Sequence, residues 1–341
     1  MKKLRVAVLM HSELVPPESI QGLTPEELNR FKVEYDVLTT LRNMGHEAIE
    51  LGVEDDFSPL RQMLREFKPH VVFNLLAHFH GAAIYESAVV SWLELHKQAY
   101  TGCNPRGIFV ANDKALSKKV LSYHRIRAAR FMSVPRGKTI RQLPKRLEFP
   151  LFVKSASEHA STGIAQASIV RDLDHLRERV EFIHRNVGTA ALCEQYIEGR
   201  ELTIGVLGNK RLEVGPTWEM DMDGLPEGAP RIVTSRLKWD LAYQKQVGLK
   251  TGPADLPEEK LKEIQHLGRR IYRALGLSGF ARIDMRMDDK GKIWILEANP
   301  NPDLCFGEDF AESFEQVGYR YPQLLQKLLN LGMRYHAPWM G

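Results

Sequence analysis

Cysteine is scarce in this chain of 341 residues: Cys103, Cys193 and Cys305 stand far apart, and no CxxC pair occurs. That excludes a disulfide scaffold and a zinc site of the usual spacing, and it predicts a reducing, cytoplasmic setting. An excess of one charge is also missing. The 47 Lys and Arg nearly balance 43 Asp and Glu, which leaves a dispersed +4. Nothing here predicts a nucleic-acid partner. No apolar run reaches the ~18 residues of a membrane span. The basic start leads into Val6–Met10, which ends at His11, Ser12 and Glu13. That run is too short for a signal-peptide core and reads as a first core strand. No membrane partner is expected.

Common site motifs are missing too. Gly137-Lys138-Thr139 resembles the end of a P-loop, but Met132 stands where the earlier glycine is required. No GxGxxG and no HExxH occurs, so a dinucleotide fingerprint and a zinc-protease helix are excluded. Gly276-Leu277-Ser278-Gly279 is one residue short of a nucleophile elbow. No repeat and no low-complexity tract is visible.

What the chain does have is material for a large core. Hydrophobic residues make up 43% and charged residues 26%, an ordinary globular balance. At roughly 150 residues per domain this allows two or three units. The first hundred residues alternate strands and helices: LRVAVLM (4–10), a helix opened by Thr24-Pro25-Glu26-Glu27 and running to Met44, a strand near 47–51, a helix near 59–67, HVVFNLL (70–76) and a helix over 85–96. A buried strand reads as a continuous apolar run, and Thr-Pro-Glu-Glu is a capping box with proline at the first helical position. This rhythm predicts a doubly wound parallel sheet. Strands over 150–156, 163–170 and 191–197, with a helix over 171–186, predict a second unit. Hairpins over 201–214 and 280–299, a helix over 257–275 and a last one over 322–331 predict a third.

The most informative segment is ARIDMRMDDKGKIWILEANPNPD (281–303). Residues two apart share one face of a strand. With the turn centred between Asp289 and Lys290, residue 282 faces 297 and residue 284 faces 295. Arg282, Asp284, Glu297 and Asn299 then crowd one face. Two carboxylates and an amide oxygen suit Mg²⁺, commonly held together with substrate phosphates. Arg282 adds a fixed positive charge for a phosphate or an oxyanion. On the pattern alone, a half-buried hairpin with a solvated polar face fits equally well.

In order and spacing over nearly its whole length, the chain resembles ATP-grasp ligases of the D-alanine–D-alanine ligase branch. His80-Gly81, Leu93–Leu95 and Tyr100–Gly102 are similar to that branch's N-terminal signature. Asn112-Asp113-Lys114 resembles its DK element, and Phe152-Val153-Lys154 its second ATP lysine. A mobile phosphate-covering loop follows, here Ser155 to Gly163. Cys193–Glu201 is similar to its hinge. The resemblance implies a three-part α/β (α+β) fold: an N-terminal domain over 1–110, a central subdomain over 111–197 and a C-terminal subdomain over 198–341.

It also implies the site. Lys114, Lys154 and Ser161 meet the ATP phosphates. Glu194 and the backbone of Tyr196 and Ile197 read adenine, and Glu201 holds the ribose. Asp284, Glu297 and Asn299 hold Mg²⁺, with Mn²⁺ as a substitute. Arg282 stabilises an oxyanion. Lys238 belongs to a closing loop, followed by Trp239 where the branch carries tyrosine. His80 helps to position substrate, and His78 and His159 lie in nearby loops. The implied reaction joins a small carboxylate to an amine through an acylphosphate. Asp303 replaces a glycine whose N–H completes the branch's oxyanion hole; its carboxylate adds negative charge that attracts an ammonium group. A substrate pair other than two D-alanines is therefore expected. An ATP-grasp phosphotransferase and a non-catalytic nucleotide-binding regulator are the alternatives, and a homodimer is compatible with all three.

Overall fold

The computed structural model describes residues 3–158, 161–226 and 228–339. Its first sheet is parallel, in the order β2-β1-β3, from β1 (Arg5–His11), β2 (Glu47–Val53) and β3 (Val71–Asn74). The apolar run predicted for β1 is buried along nearly its whole length. The helix expected to reach Met44 is two: α1 (Pro25–Arg30) and α2 (Lys32–Asn43). Thr24 and Glu27 do form the capping box. The break falls at Phe31, which is buried and leaves helical geometry with φ −124°. Helices α3 (Ser58–Glu66) and α4 (Glu86–Leu95) complete the alternation. An unanticipated α5 (Pro105–Asn112) then leads into α6 (Lys114–Tyr123).

The second sheet is antiparallel, in the order β4-β7-β5-β6, from β4 (Phe131–Val134), β5 (Leu151–Ser155), β6 (Ile169–Val170) and β7 (Ala191–Gln195). The strand expected over 163–170 shrinks to Ile169 and Val170, because a 3₁₀ turn over Gln166–Ser168 occupies the segment before it. Helix α7 (Leu173–Phe182) covers this sheet through Leu176 and Val180.

The third sheet is antiparallel, in the order β10-β9-β8-β11-β12, from β8 (Arg200–Leu207), β9 (Glu213–Asp221), β10 (Lys250–Pro253), β11 (Phe280–Met287) and β12 (Ile293–Pro300). Short helices α8 (Ser235–Trp239) and α9 (Leu241–Gln246) precede β10, and α10 (Glu258–Ala274) follows it. Helices α11 (Asp309–Glu315), not anticipated, and α12 (Tyr321–Met333) close the chain. Two cores knit the first and third sheets together. One joins Val72, Val90 and Ile108 to Ile204, Ile271 and Ile283. The other packs Leu325 and Leu328 of α12 against Val8 and Leu38. Among the described residues no helix is long and apolar enough to cross a membrane.

The β11–β12 register differs from expectation. Arg282 pairs with Asn299 and Asp284 with Glu297, while Met285 pairs with Ile295 across a bulge. Two displacements add up. The turn centres on Lys290, since Met287 pairs with Ile293, and the bulge then inserts one more residue. Because the total slip is even, the four polar side chains stay on one face.

Candidate active site

Three lysines and two glutamates meet between the second and third sheets. Lys118 Nζ lies 2.9 Å from Glu194 Oε2, and Lys154 Nζ lies 3.0 Å from Glu194 Oε1. Glu297 Oε2 is 3.6 Å from Lys154 and 3.7 Å from Lys114. All three lysines are at most 6% exposed. Buried charges persist only when paired, and here the cations outnumber the anions among the described residues. Burial pushes Glu194 up, but Lys118 and Lys154 outweigh it and hold the carboxyl below its ordinary value. Burial opposes charge on Lys154, yet Glu194 and Glu297 keep it protonated well above the usual range. For Lys114 and Lys118 burial outweighs the pull of the same two glutamates, and repulsion from Lys154 adds to it, so both are lowered. Lys114 also donates to the Glu158 carbonyl at 2.6 Å, at the base of the 155–163 loop.

On the β11–β12 face, Arg282 grips Asp284 with two hydrogen bonds of 2.7 and 2.9 Å. Asn299 donates to Asp284 Oδ2 at 2.8 Å. Asp284 and Glu297 are direct cross-strand partners. Among the described residues no three His, Cys, Asp or Glu converge on one point. The donor set is two carboxylates and an amide oxygen, which are hard ligands that fit Mg²⁺ once phosphate oxygens complete the shell.

The hinge places Glu194 differently from its expected role. Glu194 is 2% exposed and spent on two lysines. The backbone is better disposed: the Tyr196 N–H bonds Pro150 O at 3.1 Å, and the Ile197 carbonyl accepts from Arg286 at 2.9 Å. The Tyr196 carbonyl and the Ile197 N–H have no partner among the described residues. Arg286 also donates to Glu201 Oε2 at 2.6 Å. Sequence reasoning missed Arg286, although it continues the polar alternation of residues 282 and 284 on β11. It missed Lys118 as well, one helical turn beyond Lys114. Gly199 adopts φ +143°, and a Cβ there would collide with the Met287 carbonyl. Only glycine lets the hinge lie this close to β11.

The two loops flanking the site touch. Ser235 Oγ donates to the Ser161 carbonyl at 2.5 Å, and the Ser235 N–H to the Ile164 carbonyl at 3.0 Å. Ser161 has φ +59°. Lys238, on α8, faces Arg282, Asp303, Asp284 and Glu297; burial first, then Arg282, lowers its pKa. Its Nζ lies 5.2 Å from the ring centre of Trp239, which is 51% exposed. His80 is exposed, with its ring 6.4 Å from Tyr85, and has no contact with the lysine cluster. His78 lies nearer: its ring sits 4.4 Å from that of His11 at a tilt of 41°, it feels the charge of Glu158, and its Nδ1 is buried without a partner among the described residues. His159 lies outside the described residues.

A buried strut braces the loop after β12. Asn301 donates to Glu86 Oε1 at 2.7 Å and accepts from the Cys103 N–H at 2.8 Å. Burial pushes Glu86 up to about 8, so it stays protonated in the folded chain at neutral pH. Asn112 Oδ1 lacks a partner, and a protonated Glu86 satisfies it once that amide turns over. The unfolded carboxyl ionises near 4.5. The strut's contribution is therefore complete below that pH and is lost as pH rises towards 8. Glu86→Gln, which is always neutral, is expected to gain on the wild type across this window, by at most about 1.4 kcal/mol per pH unit. Urea unfolding of both proteins at pH 5 and pH 8 measures it, and parallel curves would refute a protonated Glu86.

The family described as D-ala D-ala ligase C-terminus matches residues 114–330. A D-alanine–D-alanine ligase from Desulforudis audaxviator is 28% identical over 314 residues, covering 91% of this chain and 95% of that protein. An uncharacterised protein from Sinorhizobium fredii is 27% identical over 317 residues, covering 91% and 90%. The crystal structure of D-alanine–D-alanine ligase from Bacillus anthracis complexed with ATP superimposes with a TM-score of 0.73 at 21% identity, covering 97% of this chain and 98% of that one. The matched segment begins at Lys114 and contains every ion pair of the buried cluster. The chain belongs to the D-ala D-ala ligase C-terminus family and is a ligase of the ATP-grasp type.

Proposed function

We propose that the protein is an ATP-dependent carboxylate–amine ligase acting on a substrate pair other than two D-alanines. The observation that carries the ATP site is the buried cluster, in which Lys114, Lys118 and Lys154 form their ion pairs with Glu194 and Glu297 among the described residues, and Asp303, standing where the resembled branch has glycine, supports the different pair. A surplus positive charge beside a pair of hard carboxylates suits a triphosphate. Three units, 1–110, 111–197 and 198–341, converge on this cleft. Adenine takes the Tyr196 carbonyl and the Ile197 N–H, and Glu201, oriented by Arg286, takes the ribose. Lys114 and Lys154 meet phosphate oxygens. Asp284, Glu297 and Asn299 would hold Mg²⁺, which supplies charge neutralisation as phosphoryl transfer proceeds.

The donor carboxylate attacks the γ-phosphorus and ADP leaves, giving an acylphosphate. The amine then attacks the acyl carbon; the C–O bond breaks, and the departing phosphate takes up the amine's proton. Arg282 faces the oxyanion of that second step, held in place by Asp284. The 155–163 loop and the Ser235 segment close together and keep water from the acylphosphate.

The test is phosphate release from ATP and Mg²⁺ with amino-acid and amine pairs, followed by mass spectrometry. A ligase yields ADP and phosphate only when both substrates are present. A stable phosphorylated product would instead identify a phosphotransferase. Turnover with D-alanine alone at an ordinary enzymatic rate, ~1–10³ s⁻¹, would overturn the different-pair assignment.

A further inference from the structure

Outside the nucleotide site, a group of acidic side chains outnumbers the cations near it, Lys32 and Lys238, among the described residues. Asp303 is exposed on the loop after β12, and one oxygen accepts the Cys305 N–H at 2.8 Å. Glu34 of α2 feels its charge. Glu34 is 5% exposed, and among the described residues no cation pairs with it. Burial and then Asp303 push it up to about 7. Glu308 lies just before α11; burial and then Asp303 and Asp309 push it up to about 6, against the opposing charges of Lys32 and Lys238. The local lysine is already committed: Lys32 Nζ lies 3.0 Å from Asp36 and 2.6 Å from the Phe306 carbonyl.

A second observation is independent of the acids. Tyr321 is 6% exposed, and its hydroxyl has no hydrogen-bond partner. Its titratable neighbours are Asp36, Cys305 and Asp303. Its ring meets Phe306 edge-on at 5.5 Å. A buried hydroxyl without a partner costs free energy unless a ligand satisfies it.

Among the described residues no three His, Cys, Asp or Glu side chains group closely enough to hold a metal ion, so these acceptors do not form a metal site. That geometry suits an ammonium, which sends three N–H donors outward from a flexible stem. The acidic group adjoins the reaction centre, because Lys238 feels both Asp303 and the Arg282–Asp284 pair.

We infer that the amine substrate carries a second, distal ammonium, as in a diamine or a basic amino acid, and that Asp303, Glu34 and the Tyr321 hydroxyl receive it. The inference rests on the ligase reading. One amine of the acceptor attacks the acylphosphate, while the other end is anchored by charge. Glu308 adds to the negative field at the entrance, which draws a dication towards the cleft.

The test uses the full chain with Mg²⁺ and a non-hydrolysable ATP analogue. Calorimetry measures 1,4-diaminobutane against butylamine, and lysine against norleucine. Each member with the second ammonium is expected to bind at least about tenfold tighter than its counterpart that lacks it, and the two pairs distinguish a diamine from an amino acid. Asp303→Asn and Glu34→Gln should each shrink that ratio about fivefold or more, and Tyr321→Phe should shrink it less. In turnover with ATP, the same variants should raise KM for the cationic amine more than they lower kcat. Ratios within twofold in the wild-type protein, or unchanged in both carboxylate variants, overturn the inference. Phosphate release that needs no amine would sink the ligase reading alone, because the calorimetric ratios still decide whether a distal ammonium binds.

Discussion

Asp284→Asn and Glu297→Gln are each expected to lower Mg²⁺-dependent turnover by about 100-fold or more while the chain remains folded. That is the order of effect when one charged partner of a phosphoryl-transfer transition state is removed. Both substitutions are isosteric, so cavities and overpacking do not enter. Neither strips the buried cluster. Lys154 keeps Glu194 at 3.0 Å after Glu297 is neutralised, and Arg282 keeps an amide oxygen at position 284. The check is steady-state phosphate release across a Mg²⁺ titration, together with thermal unfolding. Full activity in both variants would remove the metal assignment. A collapse in thermal stability would mean that the carboxylates act structurally. An intermediate outcome is informative too: activity recovered at high Mg²⁺ would show weakened metal affinity with the chemistry intact.

The second large effect is on stability. Glu194→Ala should destabilise the protein by about 3–5 kcal/mol, the usual cost of removing one member of a buried ion pair. Lys118 and Lys154 would each lose their short contact, and Lys118, at 2% exposure, has no water to turn to. Glu194 has a lowered pKa, so its contribution is present above its unfolded pKa and disappears as pH falls through the folded value. Wild type and variant should therefore converge in acid. Urea denaturation measures the difference, and Lys118→Met in the Glu194→Ala background should recover part of it. The same variants separate this role from adenine reading. A Glu194 that contacts the base changes the preference for ATP over GTP in Glu194→Gln. A Glu194 that only pairs the lysines leaves base preference alone. A loss below about 1 kcal/mol would show that Glu194 is not the electrostatic hub of the cluster.

Much of this site is legible in the linear sequence because strands and helices impose short periods. Residues two apart on β11 and β12 had to share a face, so Arg282, Asp284, Glu297 and Asn299 come together whatever the turn does, provided the slip is even. The capping box at Thr24 and the apolar β1 are equally local. The reading failed where local signals compete. Phe31 interrupts a helix whose caps and period run past it, because burial of its side chain decides the backbone there. Helix α5 has a clear start, with Asn104 accepting from the Gly107 N–H at 2.9 Å and Pro105 next to it. That signal was present and overlooked.

By itself, then, the sequence determined the order of the elements, the two lysines at the ends of ordered segments, and a polar face on the last hairpin. The tertiary structure alone decided who pairs with whom. Lys118 and Glu194 are 76 positions apart by their numbering, and nothing in either segment announces the other. Arg286 reaches Glu201 and the Ile197 carbonyl only because β8 lies beside β11. Glu34 feels the charge of Asp303 only because the loop after β12 packs onto α2, with Leu304 and Leu38 in one core. The physical reason is range. Periodicity and capping act over about one turn or one strand, whereas burial and Coulomb forces act between whichever groups the packed core brings together.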